Sequence, residues 1–109
     1  MQPVARPAAS RAPAPPPRLP AGLLPKVDKV RDFYRIELEP AVRAEVARAL
    51  GAAALSGLSN AELIKLAFRP VLESGPKRYK VIDELLAIKE AASTMDREAC
   101  HSVLRQLVQ

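Results

Sequence analysis

The distribution of proline constrains this chain more than any other feature of its sequence. Eight of the eleven prolines lie within the first 25 residues, where alanine and arginine fill most of the other positions. Proline removes a backbone donor and blocks helix and sheet hydrogen bonds, and this segment has too few apolar residues to offset the entropy of ordering. We therefore predict a disordered Pro/Ala-rich arm over residues 1–26 and one small domain over residues 27–109.

The net charge of +5 is concentrated in this arm. Residues 1–26 carry Arg6, Arg11, Arg18 and Lys26 and no acid, whereas the rest of the chain has thirteen bases against twelve acids. The sequence thus indicates a basic arm on a nearly neutral domain. A solubilising tail is one alternative, and a proline-rich ligand for an aromatic groove of another protein, centred on Pro13 to Pro20, is a second.

The first part of the domain shows two different periodicities. Residues 32–38 alternate in polarity from Arg35 onward, which predicts a half-buried strand. Pro40 follows and can open a helix at its first position. From there the apolar positions recur at helical spacing, so an amphipathic helix is predicted to continue to about Leu55.

The middle of the domain is predicted to contain a short helix and a hairpin. Ser59 and Glu62 have the spacing of a capping box, and Arg69, as the residue before a proline, is expected to end the helix that they begin. Two short strands, 71–73 and 79–82, would then be joined by a turn over residues 74–78.

Two further segments of the domain have helical spacing. Asp83 is predicted to cap one helix, and the C-terminal apolar residues favour a last helix over a strand. The fold class predicted from these segments is α+β, a small domain with a short β-hairpin and three to four helices. The apolar positions are Leu85, Ile88, Ala92 and Met95 in the first segment and Cys100, Val103, Leu104, Leu107 and Val108 in the second.

No catalytic or metal-binding pattern stands out. Cys100 and His101 are neighbours on a predicted helix, where adjacent side chains point about 100° apart and cannot form a nucleophile and base pair. One cysteine and one histidine also supply only half of a tetrahedral zinc shell. Glu37 and Glu39 would share a strand face with Arg35, which favours a solvated surface over an acid and base pair. We predict a non-enzyme without cofactor.

Basic residues cluster around the predicted turn at 74–78. Only Glu73 opposes them in the local sequence, and backbone phosphates would be the natural target of such a tip. An exposed hairpin end kept soluble by its charges is the alternative. The predicted nucleic-acid contacts are Arg69, Lys77, Arg78 and Lys80, together with Arg6, Arg11 and Arg18 of the arm.

Residues 62–93 (ELIKLAFRPVLESGPKRYKVIDELLAIKEAAS) resemble the N-terminal domain of ParB, the partition family that shares its fold with sulfiredoxin. The counterparts are RPVL at 69–72, Gly75, YKVI at 79–82 and the paired alanines at 91–92. The resemblance implies a strand for each of the two short apolar segments and a role in DNA maintenance. It also implies that the C-terminal segment, helical by its spacing, could be a strand.

This chain departs from the family at the nucleotide-binding signature. Members that bind nucleotide carry Gly-Glu-Arg-Arg after the tyrosine strand, where this chain has Glu84, Leu85, Leu86 and Ala87. Without a guanidinium to meet a phosphate, nucleotide binding is not implied. A winged helix-turn-helix is the alternative fold for these segments, but no recognition helix fits between Phe68 and the next predicted strand.

Two functions are therefore predicted. The first is a non-catalytic adaptor of a DNA-maintenance system that touches DNA weakly through the arm and the basic turn. The second is a protein-interaction module or small homo-oligomer without a nucleic-acid role. A cytoplasmic protein without a membrane span is expected from the single cysteine and the lack of a long apolar run. The predicted partner face comprises Leu85, Ile88, Leu104, Leu107 and Val108.

Overall fold

Helices account for all the regular structure of the domain. The computed structural model describes residues 22–109, and this part of the chain contains no β-strand. The predicted α+β fold with a β-hairpin is therefore wrong, and the domain is all-helical. Its elements are α1 (Leu24–Glu37), α2 (Pro40–Ala53), α3 (Asn60–Leu72), a 3-10 helix (Gly75–Lys80), α4 (Ile82–Ser93) and α5 (Arg97–Gln106).

Helix α1 replaces the strand predicted for residues 32–38. Pro25 lies in its first turn, where a proline is tolerated because that amide has no partner within a helix. The alternation of Ile36 and Leu38 came from the end of this helix, and Ile36 is 77% exposed. The folded unit starts earlier than predicted, since Leu23 is already in the core. The buried residues of α1 have helical spacing: Val27, Val30, Phe33 and Tyr34.

The predictions for α2 and for the start of α3 are confirmed. Helix α2 begins at Pro40, and the residue before it is extended, as a proline requires. At the start of α3 the Ser59 hydroxyl accepts from the Glu62 amide at 3.3 Å, and the Glu62 carboxylate accepts from the Ser59 amide at 3.1 Å. This reciprocal capping box holds the pKa of Glu62 below its usual value, mainly through the backbone bond.

Pro70 does not end α3, so the predicted stop at Arg69 and the strand at 71–73 are wrong. The helix continues through Pro70 to Leu72. Because proline lacks an amide hydrogen, only one helical hydrogen bond is lost near the C-terminus. The added turn places Val71 in the core, fully buried, and that burial offsets the loss.

The second predicted strand, 79–82, is also helical. Gly75 has a φ of 72°, a left-handed conformation that glycine adopts without strain, and it reverses the chain after α3. A 3-10 helix then leads into α4 at Ile82. Asp83 is not the N-cap as predicted; it lies in the first turn with Glu84, where negative charge interacts favourably with the helix dipole.

The C-terminal segment is a helix, as its spacing predicted. The Asp96 side chain caps it by accepting from the Ala99 amide at 2.9 Å. Helix α3 packs against α2, α4 and α5, and α1 packs against α4. The core of the described residues contains no charged side chain, and the buried Tyr34 hydroxyl donates to the Ala67 carbonyl of α3.

Candidate functional site

Two of the chain's own acids, Glu37 and Glu73, offset half of the positive charge of the predicted basic turn. Glu37, at the end of α1, receives Lys80 Nζ at 2.7 Å and Lys77 Nζ at 3.5 Å. Its carboxylate therefore bridges the two lysines of the 3-10 helix. The hydrogen bond from Lys80, followed by the charges of both lysines, holds the pKa of Glu37 below its usual value.

The two arginines of the predicted turn are also engaged. Arg69 Nε lies 3.3 Å from the Glu73 carboxylate one helical turn away. The Arg78 guanidinium stacks over the Tyr79 ring at 4.8 Å and donates to the Tyr79 hydroxyl at 3.1 Å. It also donates to the Leu72 carbonyl at 3.3 Å, at the end of α3.

These contacts reduce the charge available to a polyanion. Of the four cations predicted in the domain, Arg69, Lys77 and Lys80 have an acidic partner, and Arg78 has a carbonyl and an aromatic ring. Exposed ion pairs hold side chains weakly, but each carboxylate cancels a charge that would otherwise face phosphate. The other predicted contacts, Arg6, Arg11 and Arg18, lie outside the described residues.

The predicted partner face is covered by the domain itself. Leu85, Ile88, Leu104 and Leu107 are buried in the core, and Val108 packs against it half-buried. Burying these side chains among five helices removes the apolar face that a partner would have used. The correction follows from helix packing, which single-helix periodicity does not report.

Cys100 and His101 do not meet, as predicted from their adjacency. The Cys100 thiol is fully buried, and burial raises its pKa. His101 points to α2, where its Nε2–H donates to the Leu50 carbonyl at 2.6 Å. Within residues 22–109, no three His, Cys, Asp or Glu side chains are grouped closely enough to hold a metal ion.

A cleft of about 360 Å³ lies between α2 and α3. Its floor is apolar and comes from both helices, and charged side chains stand along its edges. This volume falls in the range of about 300–1,000 Å³ that is typical of ligand-binding clefts. The lining residues are Val42, Glu45, Val46, Ala49, Leu66, Arg69, Pro70 and Glu73.

The cleft continues toward the junction of α1 and α2. A second hollow of about 300 Å³ shares Val42, Pro70 and Glu73 with the first, so the two form one groove, which we call the α2–α3 groove. Across both parts the lining holds four acids and two bases, a net charge of −2. The residues added by the second part are Glu37, Leu38, Glu39, Ser74 and Lys77.

Two of the groove's acids are unpaired in the described part of the chain. Glu39 and Glu45 are exposed and make no ion pair with any residue in 22–109, whereas Glu37 and Glu73 are bonded to cations. The unpaired carboxylates stand beside an apolar floor. The groove can therefore accept apolar side chains while its rim attracts positive charge.

The sequence signal for this groove is the width of the apolar stripe on α2 and α3. Helical periodicity alone predicts that the whole stripe belongs to the core. The apolar stripe of α2 is wider than the core requires, because Val42 and Ala49 remain only half-buried. Leu66 and Pro70 of α3 are half-buried in the same way. A stripe wider than its buried residues indicates a surface left for something else to cover.

No family model matches the chain, and neither a curated protein nor a solved structure is similar to it. The likeness of residues 62–93 to the ParB N-terminal domain thus stays a prediction from sequence, without the strands that it implied. None of the helices in residues 22–109 is both long enough and apolar enough to cross a bilayer.

Proposed function

We propose that this protein is a non-catalytic adaptor whose α2–α3 groove binds a short basic segment, carrying apolar side chains, of a partner protein. The observation that supports this proposal is the groove itself, an apolar floor with a net charge of −2 along its lining. The basic turn, by contrast, already has partners within the domain. A cytoplasmic location suits such an adaptor and is consistent with the single unpaired thiol.

The expected affinity follows from the size of the groove. Each apolar side chain that the floor buries contributes about 1.5–3 kcal/mol. Two or three such anchors must first offset the entropy of ordering the segment and of association. Since two or three anchors contribute about 3–9 kcal/mol before these costs, no more than a few kcal/mol remain, which corresponds to weak dissociation constants of about 0.1–1 mM (about −4.1 kcal/mol at 1 mM).

The rim supplies selectivity rather than most of this energy. Glu39 and Glu45 are exposed, so their attraction for a cation is screened by salt. A partner segment is therefore expected to carry lysine or arginine at the edges of its apolar residues. An acidic segment would be repelled by the same carboxylates.

Selection from a random 16-residue peptide library displayed on phage tests the proposal. The expected result is enrichment of peptides that combine lysine or arginine with apolar residues, because both features match the groove. No enrichment, or enrichment of acidic peptides, would contradict it.

A matched pair of charge reversals locates the binding surface. Glu45→Lys reverses a charge on the groove, and Glu90→Lys makes the same change on α4, on an exposed residue that does not line the groove. We expect the first to weaken a selected peptide several-fold and the second to leave its affinity unchanged. Equal effects of the two substitutions would place binding elsewhere.

The other predicted function, weak electrostatic contact with DNA, can be tested with the same protein. A mobility-shift titration with duplex DNA at two salt concentrations should show no binding that depends on Lys77 or Lys80. Tight, strongly salt-dependent binding lost on replacing these lysines would favour the DNA role over the one proposed.

A further inference from the structure

We infer that the partner segment of the α2–α3 groove inserts one arginine side chain between its apolar residues, where the guanidinium donates to the backbone carbonyl of Leu66. This inference rests on the proposed function, because it names a polar contact made in the same groove. It gives Pro70 a role in specificity, since this proline leaves the carbonyl without its helical donor.

Pro70 deprives one backbone acceptor of α3 of its usual partner. In an α-helix each carbonyl accepts from the amide four residues later, and the residue four after Leu66 is Pro70, which has no amide hydrogen. Side chains of residues 22–109 donate to three other carbonyls of α3 but not to that of Leu66. The Leu66 carbonyl is therefore available to a donor that these residues do not supply.

The available carbonyl lies on the groove side of α3. Leu66 and Pro70 both line the first part of the groove, and both are half-buried. Because a helical carbonyl points along the axis toward the residue four later, the Leu66 oxygen lies between these two side chains. On the core side, the Tyr34 hydroxyl donates to the neighbouring Ala67 carbonyl, so a side chain can reach a carbonyl beside this proline. A ligand side chain has the same approach from the groove.

A positively charged donor suits this acceptor better than a neutral one. Glu45 lines the same part of the groove and makes no ion pair within residues 22–109, whereas Arg69, which also lines it, is bonded to Glu73 at 3.3 Å. A carbonyl and a carboxylate both accept, so a group that only donates matches both. Arginine fits best, because its guanidinium is more weakly hydrated than an ammonium and its several donors can meet two acceptors at once.

A double-mutant cycle tests this contact in the full chain. The probes are a library-selected peptide with one arginine between its apolar residues and the same peptide with methionine, which has no donor, in its place. Pro70→Val keeps an apolar side chain in the groove and supplies the missing amide, which then occupies the Leu66 carbonyl. We expect the ratio of the two affinities, measured by NMR titration, to be about tenfold smaller in Pro70→Val than in the wild type. An equal ratio in both proteins would overturn the inference.

Two further variants separate the hydrogen bond from lost packing. Pro70→Ala restores the same amide with a smaller side chain, so its affinity ratio should fall as in Pro70→Val. Val42→Ala removes apolar surface on α2 and leaves α3 unchanged, so it should weaken both peptides and keep the wild-type ratio. A ratio that falls as far in Val42→Ala as in the Pro70 variants would overturn the inference.

The carbonyl itself gives a second measurement that needs no substitution in the protein. Accepting a hydrogen bond changes the chemical shift of a carbonyl carbon, so the arginine peptide should move the Leu66 carbonyl signal of the wild type more than the methionine peptide does. The Leu63 carbonyl, whose helical donor is the Ala67 amide, should respond alike to both peptides. Equal changes at Leu66 from the two peptides would overturn the inference.

The peptide selection distinguishes failure of this inference from failure of the proposed function. Enriched peptides in which lysine replaces arginine without loss of affinity, or whose basic residues lie only outside the apolar ones, would overturn the inference and leave the proposed function intact. If no peptide is enriched, the proposed function fails, and this inference fails with it.

Discussion

Replacing Arg97 is the sharpest test of how the domain is held together. Arg97 begins α5, yet its guanidinium serves the connection between α2 and α3. Its Nε donates to the Leu58 carbonyl at 2.7 Å, and Nη2 donates to the carbonyls of Ala53, at 2.8 Å, and Ser56. One side chain thus satisfies three carbonyls where α2 ends without a glycine.

The cost of Arg97→Ala can be worked out from these contacts. The Ala53 carbonyl keeps two other donors, the amide and the hydroxyl of Ser56, so its loss is small. The carbonyls of Ser56 and Leu58 lose a charged donor, at about 1–1.5 kcal/mol each after partial replacement by water. We therefore expect the free energy of unfolding to fall by about 2–3 kcal/mol.

Urea denaturation followed by circular dichroism at 222 nm measures this loss, and the same change corresponds to a fall in Tm of roughly 10–20 °C. Arg105→Ala is the matched control, an exposed arginine of the same helix without a hydrogen bond or ion pair to residues 22–109, and it should shift stability by no more than about 0.5 kcal/mol. The stability of Arg97→Lys should lie between those of Arg97→Ala and Arg105→Ala, because one ammonium group cannot reach all three carbonyls. A stability of Arg97→Ala within error of Arg105→Ala would refute the reasoning.

Four other substitutions test three separate features of the domain. Tyr34→Phe removes a buried hydroxyl that donates to the Ala67 carbonyl of α3, so the free energy of unfolding in urea should fall by about 1–1.5 kcal/mol. An unchanged free energy of unfolding would show that this hydrogen bond does not contribute to stability. The hydrogen bond from Lys80 is the main cause of the lowered pKa of Glu37 in the folded state. Ionised Glu37 therefore stabilises the fold at a pH above its pKa in the unfolded chain, and this stabilisation is lost as the pH falls through its pKa in the folded state. Acid titration of stability below about pH 5 should accordingly be shallower for Glu37→Gln than for the wild type, and parallel curves would contradict this. Gly75→Ala should destabilise by about 1 kcal/mol because its φ is 72°, whereas Gly51→Ala, in a helix with open space around it, should stabilise by about 0.5–1 kcal/mol. Effects of the same sign would refute the conformational argument.

Local signals in the sequence predicted those elements that depend on local contacts. The capping box of Ser59 and Glu62 was confirmed because its hydrogen bonds join residues three apart. Helix α2 was confirmed because Pro40 and the apolar spacing agree. For the C-terminal segment, the apolar spacing favoured a helix and the family resemblance allowed a strand, and the structure has a helix there.

The errors came from short apolar runs whose secondary structure is decided by packing. Residues 79–82 are rich in β-favouring side chains, but Gly75 reverses the chain and Glu37 binds Lys77 and Lys80, so Tyr79 and Lys80 end a 3-10 helix and Ile82 begins α4. Propensity is a weak prior that tertiary contacts override. The helix stop predicted at Pro70 is wrong because proline disfavours the helical conformation of the preceding residue only locally, whereas the burial of Val71 favours continuing the helix.

The candidate site was not predicted from the sequence because it also depends on contacts between helices. The basic residues of the turn are adjacent in sequence, whereas the acid that neutralises two of them, Glu37, comes from α1. The α2–α3 groove likewise joins helices whose facing residues are far apart in the chain. Sequence periodicity shows which residues of a helix are apolar, but not how much of that stripe its neighbours cover.

Mapping a selected peptide by NMR tests the central claim most directly, that the groove rather than the basic turn is the recognition surface. On titration into the isotope-labelled full chain, we predict the largest shift changes at Val42, Val46 and Leu66, with small changes at residues 78–80 of the basic turn, which do not line the groove. The opposite pattern, with changes at Lys77 and Lys80 on addition of duplex DNA and none in the groove on addition of peptide, would contradict the account.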